Sequence, residues 1–177
     1  PLPGINDVGY VTSDTLWERF AQLDAVPARL VVLGGGPIGC ELAQSFARLG
    51  AQVTQVEMLP RLMIREDPEV SVMVAERFAA EGIKVLLEHK ASACMMDEGE
   101  KIMLAEYKGA QVKIPYDAVL VAVGRVANLK GYGLEELGIE AQRTVATNEF
   151  LQTKYPNIYA AGDVAGPFQF THTAAHQ

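Results

Sequence analysis

Positive charge is in short supply in this chain: 15 Lys and Arg stand against 22 Asp and Glu, a formal charge of -7, and no basic run occurs. Nucleic acids and anionic membrane surfaces are held by clustered Lys and Arg, so neither is expected as a partner. Long apolar runs are missing as well. No stretch approaches the roughly twenty residues that a membrane-crossing helix needs. Cysteine is confined to Cys40 and Cys94, far apart and each inside an apolar element. That usage points to buried free thiols in a reducing compartment, the cytoplasm being the expectation. With His89, His172 and His176 scattered along the chain, no spacing suits zinc and no metal is expected. The opening Pro1-Leu2-Pro3-Gly4 carries neither an initiator Met nor a signal-peptide layout, and it reads as the start of an excised segment.

What is present is a chain of 177 residues, 49% of them hydrophobic, enough for one good core with part of a second domain attached. Its most informative stretch is Val31-Val32-Leu33-Gly34-Gly35-Gly36-Pro37-Ile38-Gly39, an apolar strand running into a Gly-x-Gly-x-x-Gly turn. Glu57 answers it about twenty residues later, the spacing of a dinucleotide site. Gly34 permits the tight turn, Gly36 lets backbone approach a pyrophosphate, and Gly39 lets the next helix pack close to the strand. Gly35, Pro37 and Ile38 complete the candidate set, with the N-terminal N–H groups and positive dipole end of the helix directed at phosphate. Pro37 and Gly50 frame that helix over 37–49. Residues 52–57 form the next parallel strand, which places Glu57 where an adenosine ribose would lie. There it accepts from both hydroxyls and repels a 2′-phosphate, so NAD(H) is expected over NADP(H). The nearest cations, Arg61 and Arg65, fall beyond the turn at Pro60.

Elsewhere the pattern is that of an α/β chain. Ser13 or Thr12 caps a short helix through Leu16, Trp17 and Phe20. Asp67-Pro68 starts another, in which Val70, Met73, Val74 and Phe78 form a core-facing stripe before Gly82 ends it. Residues 83–87 give a third parallel strand. The runs 91–97, 101–107 and 111–115, separated by Gly99 and Gly109, then read as an antiparallel meander in place of a crossover helix. The apolar run 118–123 suits a strand buried on both faces and ends at Gly124. The expected fold is a three-layer α/β arrangement, a Rossmann-like parallel sheet with an antiparallel β-meander crossover.

Four stretches together resemble one family: 34–43, the strand ending in Glu57, Val121-Ala122-Val123-Gly124-Arg125 with Asn128, and Ile158-Tyr159-Ala160-Ala161-Gly162-Asp163-Val164. They are similar to the NAD(P)H-binding domain of flavoprotein pyridine nucleotide-disulfide oxidoreductases. Through Arg65-Glu66-Asp67-Pro68 the likeness is strongest to the dihydrolipoamide dehydrogenase and mercuric reductase branch. The resemblance implies that Glu41 matches the glutamate that pairs with a flavin-side lysine and helps hold the nicotinamide carboxamide near the isoalloxazine. It implies that Ala91 borders the adenine and that Gly124 lies along the nicotinamide. Pro37 departs from the glutathione reductase pattern, which has a flavin-covering tyrosine there. Asp163 matches the aspartate on the FAD ribityl chain, and Phe170, Thr171 and His172 match the segment along the isoalloxazine edge. By the same likeness residues 1–12 are a connector from an absent FAD domain, 13–145 the NAD(H)-binding domain, and 146–177 the return segment of the FAD domain.

The function so implied is that of an NADH-binding part of an FAD-dependent oxidoreductase, a homodimer when whole. Hydride passes from nicotinamide C4 to flavin N5 and on to a disulfide or other acceptor. The family's Cys-x-x-x-x-Cys pair, its His-Glu acid/base pair and the FAD domain's own Gly-rich turn are not in this sequence. A self-sufficient nicotinamide dehydrogenase would need its own acid/base group, and no Tyr-x-x-x-Lys pair occurs. A non-catalytic module that binds or senses NADH would retain the same glycines and is the alternative.

Overall fold

The computed structural model describes residues 2–177, which divide into two compact units, one ending at Gly124 and one running over Arg125–Gln177. The first opens with α1 (Ile5–Val8), β1 (Val11–Thr12) and α2 (Leu16–Phe20). A βαβ unit follows: β2 (Arg29–Leu33), α3 (Pro37–Arg48) and β3 (Gln52–Val56). Then come α4 (Pro68–Ala80) and β4 (Lys84–Leu86), the meander β5 (Lys90–Asp97), β6 (Glu100–Tyr107) and β7 (Ala110–Tyr116), and last β8 (Ala118–Val121).

The five strands β1-β8-β2-β3-β4 make one parallel sheet, and β5-β6-β7 a separate antiparallel one. From β2 the chain steps outward through β3 to β4, then returns to the other side of β2 as β8. The strand order therefore reverses between β2 and β8, where crevices open at the carboxyl ends of the strands in sheets of this kind.

Alternation within β2 assigns the layers. Leu30 and Val32 pack with Leu16 of α2, Cys40, Ala43 and Phe46 of α3, and Phe78 of α4. Val31 points the other way, with Val56 and Val119, onto Cys94, Met103, Ala105, Ile114 and Tyr116 of the meander. A strand that must bury both faces is apolar throughout, which is why 30–32 is an unbroken aliphatic run. The meander covers the face that a crossover helix would otherwise cover, and the three layers match the expected fold class. Cys40 and Cys94 are both buried free thiols, on opposite sides of the sheet.

Several local expectations need correction. α1 and the two-residue β1, which pairs with β8, were not legible in the pattern. The N-cap of α2 is Thr15, without a side-chain cap bond. Its hydroxyl instead accepts the N–H of Thr12 at 3.0 Å, so neither Thr12 nor Ser13 caps the helix. In α4 the stripe holds at Val74 and Phe78, which pack on the core, but not in the first two turns. Ser71 and Phe78 are buried, whereas Val70 and Met73 are exposed, Met73 at 68%. The reason is polar: the Ser71 hydroxyl donates to the Leu62 carbonyl at 2.7 Å and accepts from the Arg61 guanidinium at 2.6 Å, and this turns its face inward. β8 stops at Val121, and Val123 is 70% exposed rather than part of a buried strand.

The second unit has little regular structure. Leu134, Ile139 and Val145 form its core, with Tyr155, Ile158 and Val164 against them. Single bridges join Ala141 to Val145 and Gln152 to Tyr159, and α5 (Thr171–His176) ends the chain. No helix of the described residues is long and apolar enough to cross a membrane.

Met103 is fully buried between the sheets, so Met103→Ala should lower the unfolding free energy by about 2–5 kcal/mol, the range for a buried Met truncation. Met73→Ala, on the solvent side of α4, should shift it by less than about 0.5 kcal/mol. Urea unfolding midpoints of the two variants measure the contrast directly.

Candidate functional site

At the carboxyl ends of β2 and β8 the chain turns sharply through Gly34, whose φ is +114° and whose absent Cβ would lie 2.4 Å from the Ala122 carbonyl oxygen. Only glycine fits such a conformation beside neighbouring backbone. Five residues on, a Cβ at Gly39 would meet the Gly34 carbonyl oxygen at 2.3 Å, so α3 lies against the turn with no room for a methyl group. Gly36, the N-cap, is extended, with nothing within 4 Å of where its Cβ would be. Pro37 occupies the first helical position, where its missing N–H costs nothing.

The polar groups of the turn fall into two sets. Those facing inward are paired. Gly34 N–H donates to the Val56 carbonyl at 2.8 Å and Gly35 N–H to Oε2 of Glu57 at 2.6 Å. The Gly34 carbonyl accepts from Nε2 of Gln55 at 2.9 Å, and the Gly35 carbonyl from Met63 N–H at 2.7 Å and from the Cys40 thiol at 3.5 Å. The N–H groups of Gly36, Ile38 and Gly39 have no hydrogen-bond partner among the described residues. They sit at the N-terminus of a 12-residue helix, where unpaired donors and the dipole favour an anion.

Glu57, just past β3, is buried, and its second oxygen accepts the Leu59 N–H at 2.7 Å. Each carboxyl oxygen keeps a further lone pair for a hydroxyl donor. Its backbone ties in the neighbouring strand ends, donating to the Leu86 carbonyl and accepting from His89 N–H, both at 2.9 Å. His89 is buried and stacks on Tyr107 with ring centroids 4.3 Å apart. Two residues later, half-buried Ala91 stands where β5 breaks register with β6, between Ala91 and Ala93.

Arg61, four residues past Glu57, is otherwise engaged. The Arg61 guanidinium donates to the carbonyls of Met63, Ile64 and Glu66 and to the Ser71 hydroxyl at 2.6–3.2 Å. Burial pushes the Cys40 thiol up to about 11, the largest cause being lost solvation, so it is no nucleophile at neutral pH.

Gly34, Gly35, Gly36, Pro37, Ile38, Gly39 and Glu57 are thus brought together. Glu41 is exposed one turn further along α3, and Gly124, with φ +145°, lies open two residues past Ala122. Asp163, Phe170, Thr171 and His172 belong to the second unit. Asp163 pairs with Arg125 at 3.3 Å, and Phe170 stacks on His172 at 5.3 Å. The sequence reading passed over Gln55 and Met63. Gln55 had a visible signal, a lone amide among the aliphatic residues of a parallel strand. Met63 had none, because it acts through its backbone.

A glycine turn, a helix start with free donors and a strand-end acid at the switch point of a parallel sheet are the arrangement found in dinucleotide-binding α/β folds. Residues 1–177 match the model of the pyridine nucleotide-disulphide oxidoreductases, and the chain belongs to that family. Dihydrolipoyl dehydrogenase of Chlamydia pneumoniae is 34% identical over 179 residues, covering 100% of this chain and 37% of its own length. Mercuric reductase of Acidithiobacillus ferrooxidans is 40% identical over 179 residues, 99% of this chain and 31% of its own. The Cu(II) complex of the HOCl-induced flavoprotein disulfide reductase RclA from Escherichia coli matches with a TM-score of 0.84 at 30% identity, over 99% of this chain and 40% of that one. The chain spans about a third of the length of the curated relatives it matches. These relatives are oxidoreductases, and flavin and pyridine nucleotide are the cofactors of the family.

Gly39→Ala should cost about 1–3 kcal/mol of stability, as overpacking against backbone does, whereas Gly36→Ala, with open space, should stay within about 1 kcal/mol of the wild type. Thermal and urea unfolding of the two variants test the assignment of one glycine to packing and the other to access.

Proposed function

We propose that this chain binds NADH at the Gly34–Gly39 turn and presents the nicotinamide for hydride transfer to FAD in a pyridine nucleotide-disulfide oxidoreductase. The observation that carries the reading is the split between donors: every inward polar group of the turn is paired, while the N–H groups of Gly36, Ile38 and Gly39 have no partner among the described residues and space is open at Gly36. A pyrophosphate fits this cradle, because it supplies oxygen acceptors and negative charge where the helix end supplies donors.

Glu57 accepts the ribose hydroxyls through its remaining lone pairs and sets the choice of cofactor. A 2′-phosphate would meet its carboxyl, with Arg61 held on backbone carbonyls and unable to offset the repulsion. Ala91 borders the adenine, Gly124 lies along the nicotinamide, and Glu41 helps hold the carboxamide through a flavin-side lysine. On the flavin side Asp163 bonds the ribityl chain, and Phe170, Thr171 and His172 follow the isoalloxazine edge. The chemistry supplied by the bound cofactors is hydride transfer from nicotinamide C4 to flavin N5. The residues of this chain bind and orient. Residues 13–145 act as the NAD(H)-binding domain, with 1–12 a connector and 146–177 a return segment of the FAD domain. Family likeness supports a homodimer for the whole enzyme, and the buried free thiols support the cytoplasm.

Gly36→Val should abolish NADH binding in a folded protein, since its side chain fills the space the pyrophosphate needs. Calorimetric titration alongside circular dichroism separates this from unfolding, and retained affinity would place the cofactor elsewhere. NADH should bind at least about tenfold more tightly than NADPH, equivalent to about 1.4 kcal/mol, and Glu57→Ala should narrow that ratio. Equal or tighter NADPH binding by the wild type would refute the assignment of Glu57.

A further inference from the structure

We propose that Gln55 is a positioning residue for the nucleotide, an inference that rests on reading the Gly34–Gly39 turn as a pyrophosphate site. Gln55 lies on the α3 side of β3 together with Val53, in a layer of Leu30, Val32, Ala43 and Phe46, and it is fully buried. Its Nε2 donates to the Gly34 carbonyl at 2.9 Å. Glu57, just past the end of β3, accepts the Gly35 N–H at 2.6 Å. That carbonyl and that N–H are the two ends of one peptide unit. Because the unit is planar, holding both ends fixes the plane. The next peptide unit is held at its other end, where the Gly35 carbonyl accepts from Met63 N–H at 2.7 Å. Gln55 and Glu57 thus act as a two-point clamp on the first peptide unit of the turn, and with Met63 on the second they set the direction of the unpaired Gly36 N–H and the start of α3.

Two further features indicate that the amide serves the turn rather than the core. A Cβ at Gly39 would come within 3.3 Å of Nε2 as well as 2.3 Å of the Gly34 oxygen, so helix, turn and amide meet at one point that only glycine leaves open. The other amide atom, Oε1, is buried with no hydrogen-bond partner among the described residues. Flipping the amide would set Oε1 against the Gly34 oxygen, two acceptors face to face, so the Gly34 bond dictates the orientation. A buried acceptor without a partner works against folding, and an aliphatic residue would fill the same space without that penalty. What the aliphatic residue lacks is the donor to Gly34 at 2.9 Å, with a weaker one to the Cys40 sulfur at 3.6 Å.

The test is Gln55→Met, which keeps the length and approximate volume of the side chain and removes the donor, in the 177-residue chain. The thermal midpoint should be unchanged or higher, because the unpaired Oε1 is gone. The dissociation constants of NADH and ADP-ribose should rise together by about tenfold, the order expected for one lost orienting hydrogen bond. Adenosine has no pyrophosphate, and its binding should not change. An NADH dissociation constant within about twofold of the wild type would overturn the role of Gln55 while leaving the pyrophosphate reading intact. A lowered midpoint with parallel loss of adenosine binding would also overturn it, by showing a general structural effect. Failure of the wild-type chain to bind either NADH or ADP-ribose would refute the pyrophosphate reading itself, and the role of Gln55 with it.

Discussion

The contact between the Gly34 carbonyl and the bare Cα of Gly39 is the constraint on which the rest of the first unit depends. With 2.3 Å between that oxygen and any added Cβ, α3 is pressed directly onto the end of β2. That closeness lets one helix N-terminus share a turn with two strand ends, β2 and β8, and brings Cys40 and Ala43 into contact with Leu30 and Val32. Were the helix held off by a single methyl group, the Gln55 amide would lose its register with Gly34. The donors of Gly36, Ile38 and Gly39 would then no longer converge.

Around this contact the layers are built by alternation. The aliphatic run of β2 serves two cores at once, helices on one side and the meander on the other. The meander contributes Met103, Ala105, Ile114 and Tyr116 at every second position, the strand's way of presenting a continuous apolar face. A helix would cover the same sheet with a different period. The outer layer also bears on the site, since His89, the residue before β5, donates its N–H to the Glu57 carbonyl.

Polar groups inside this framework decide orientation more than they add stability. Ser71 anchors the start of α4 by accepting from Arg61 and donating to Leu62, with Val70 and Met73 left on the solvent side. Arg61 in turn closes the 63–66 loop, and Met63 of that loop donates to the Gly35 carbonyl. The result is a chain of single hydrogen bonds from α4 to the glycine turn, none of which an apolar pattern could reveal.

Read alone, the sequence was sufficient for the glycine turn, the strand-end acid, the meander and the parallel direction of the main strands. These follow from local rules: glycine where backbone crowds, alternation where a sheet is covered, continuous aliphatics where it is buried twice. The inward face of Ser71 in α4, the two-residue β1, the early end of β8 and the pairing of Gln55 with Gly34 and of Glu57 with Gly35 were decided only by the tertiary structure. Each depends on which polar group finds a partner far along the chain, and such partners exist only once the layers have packed and water has been excluded.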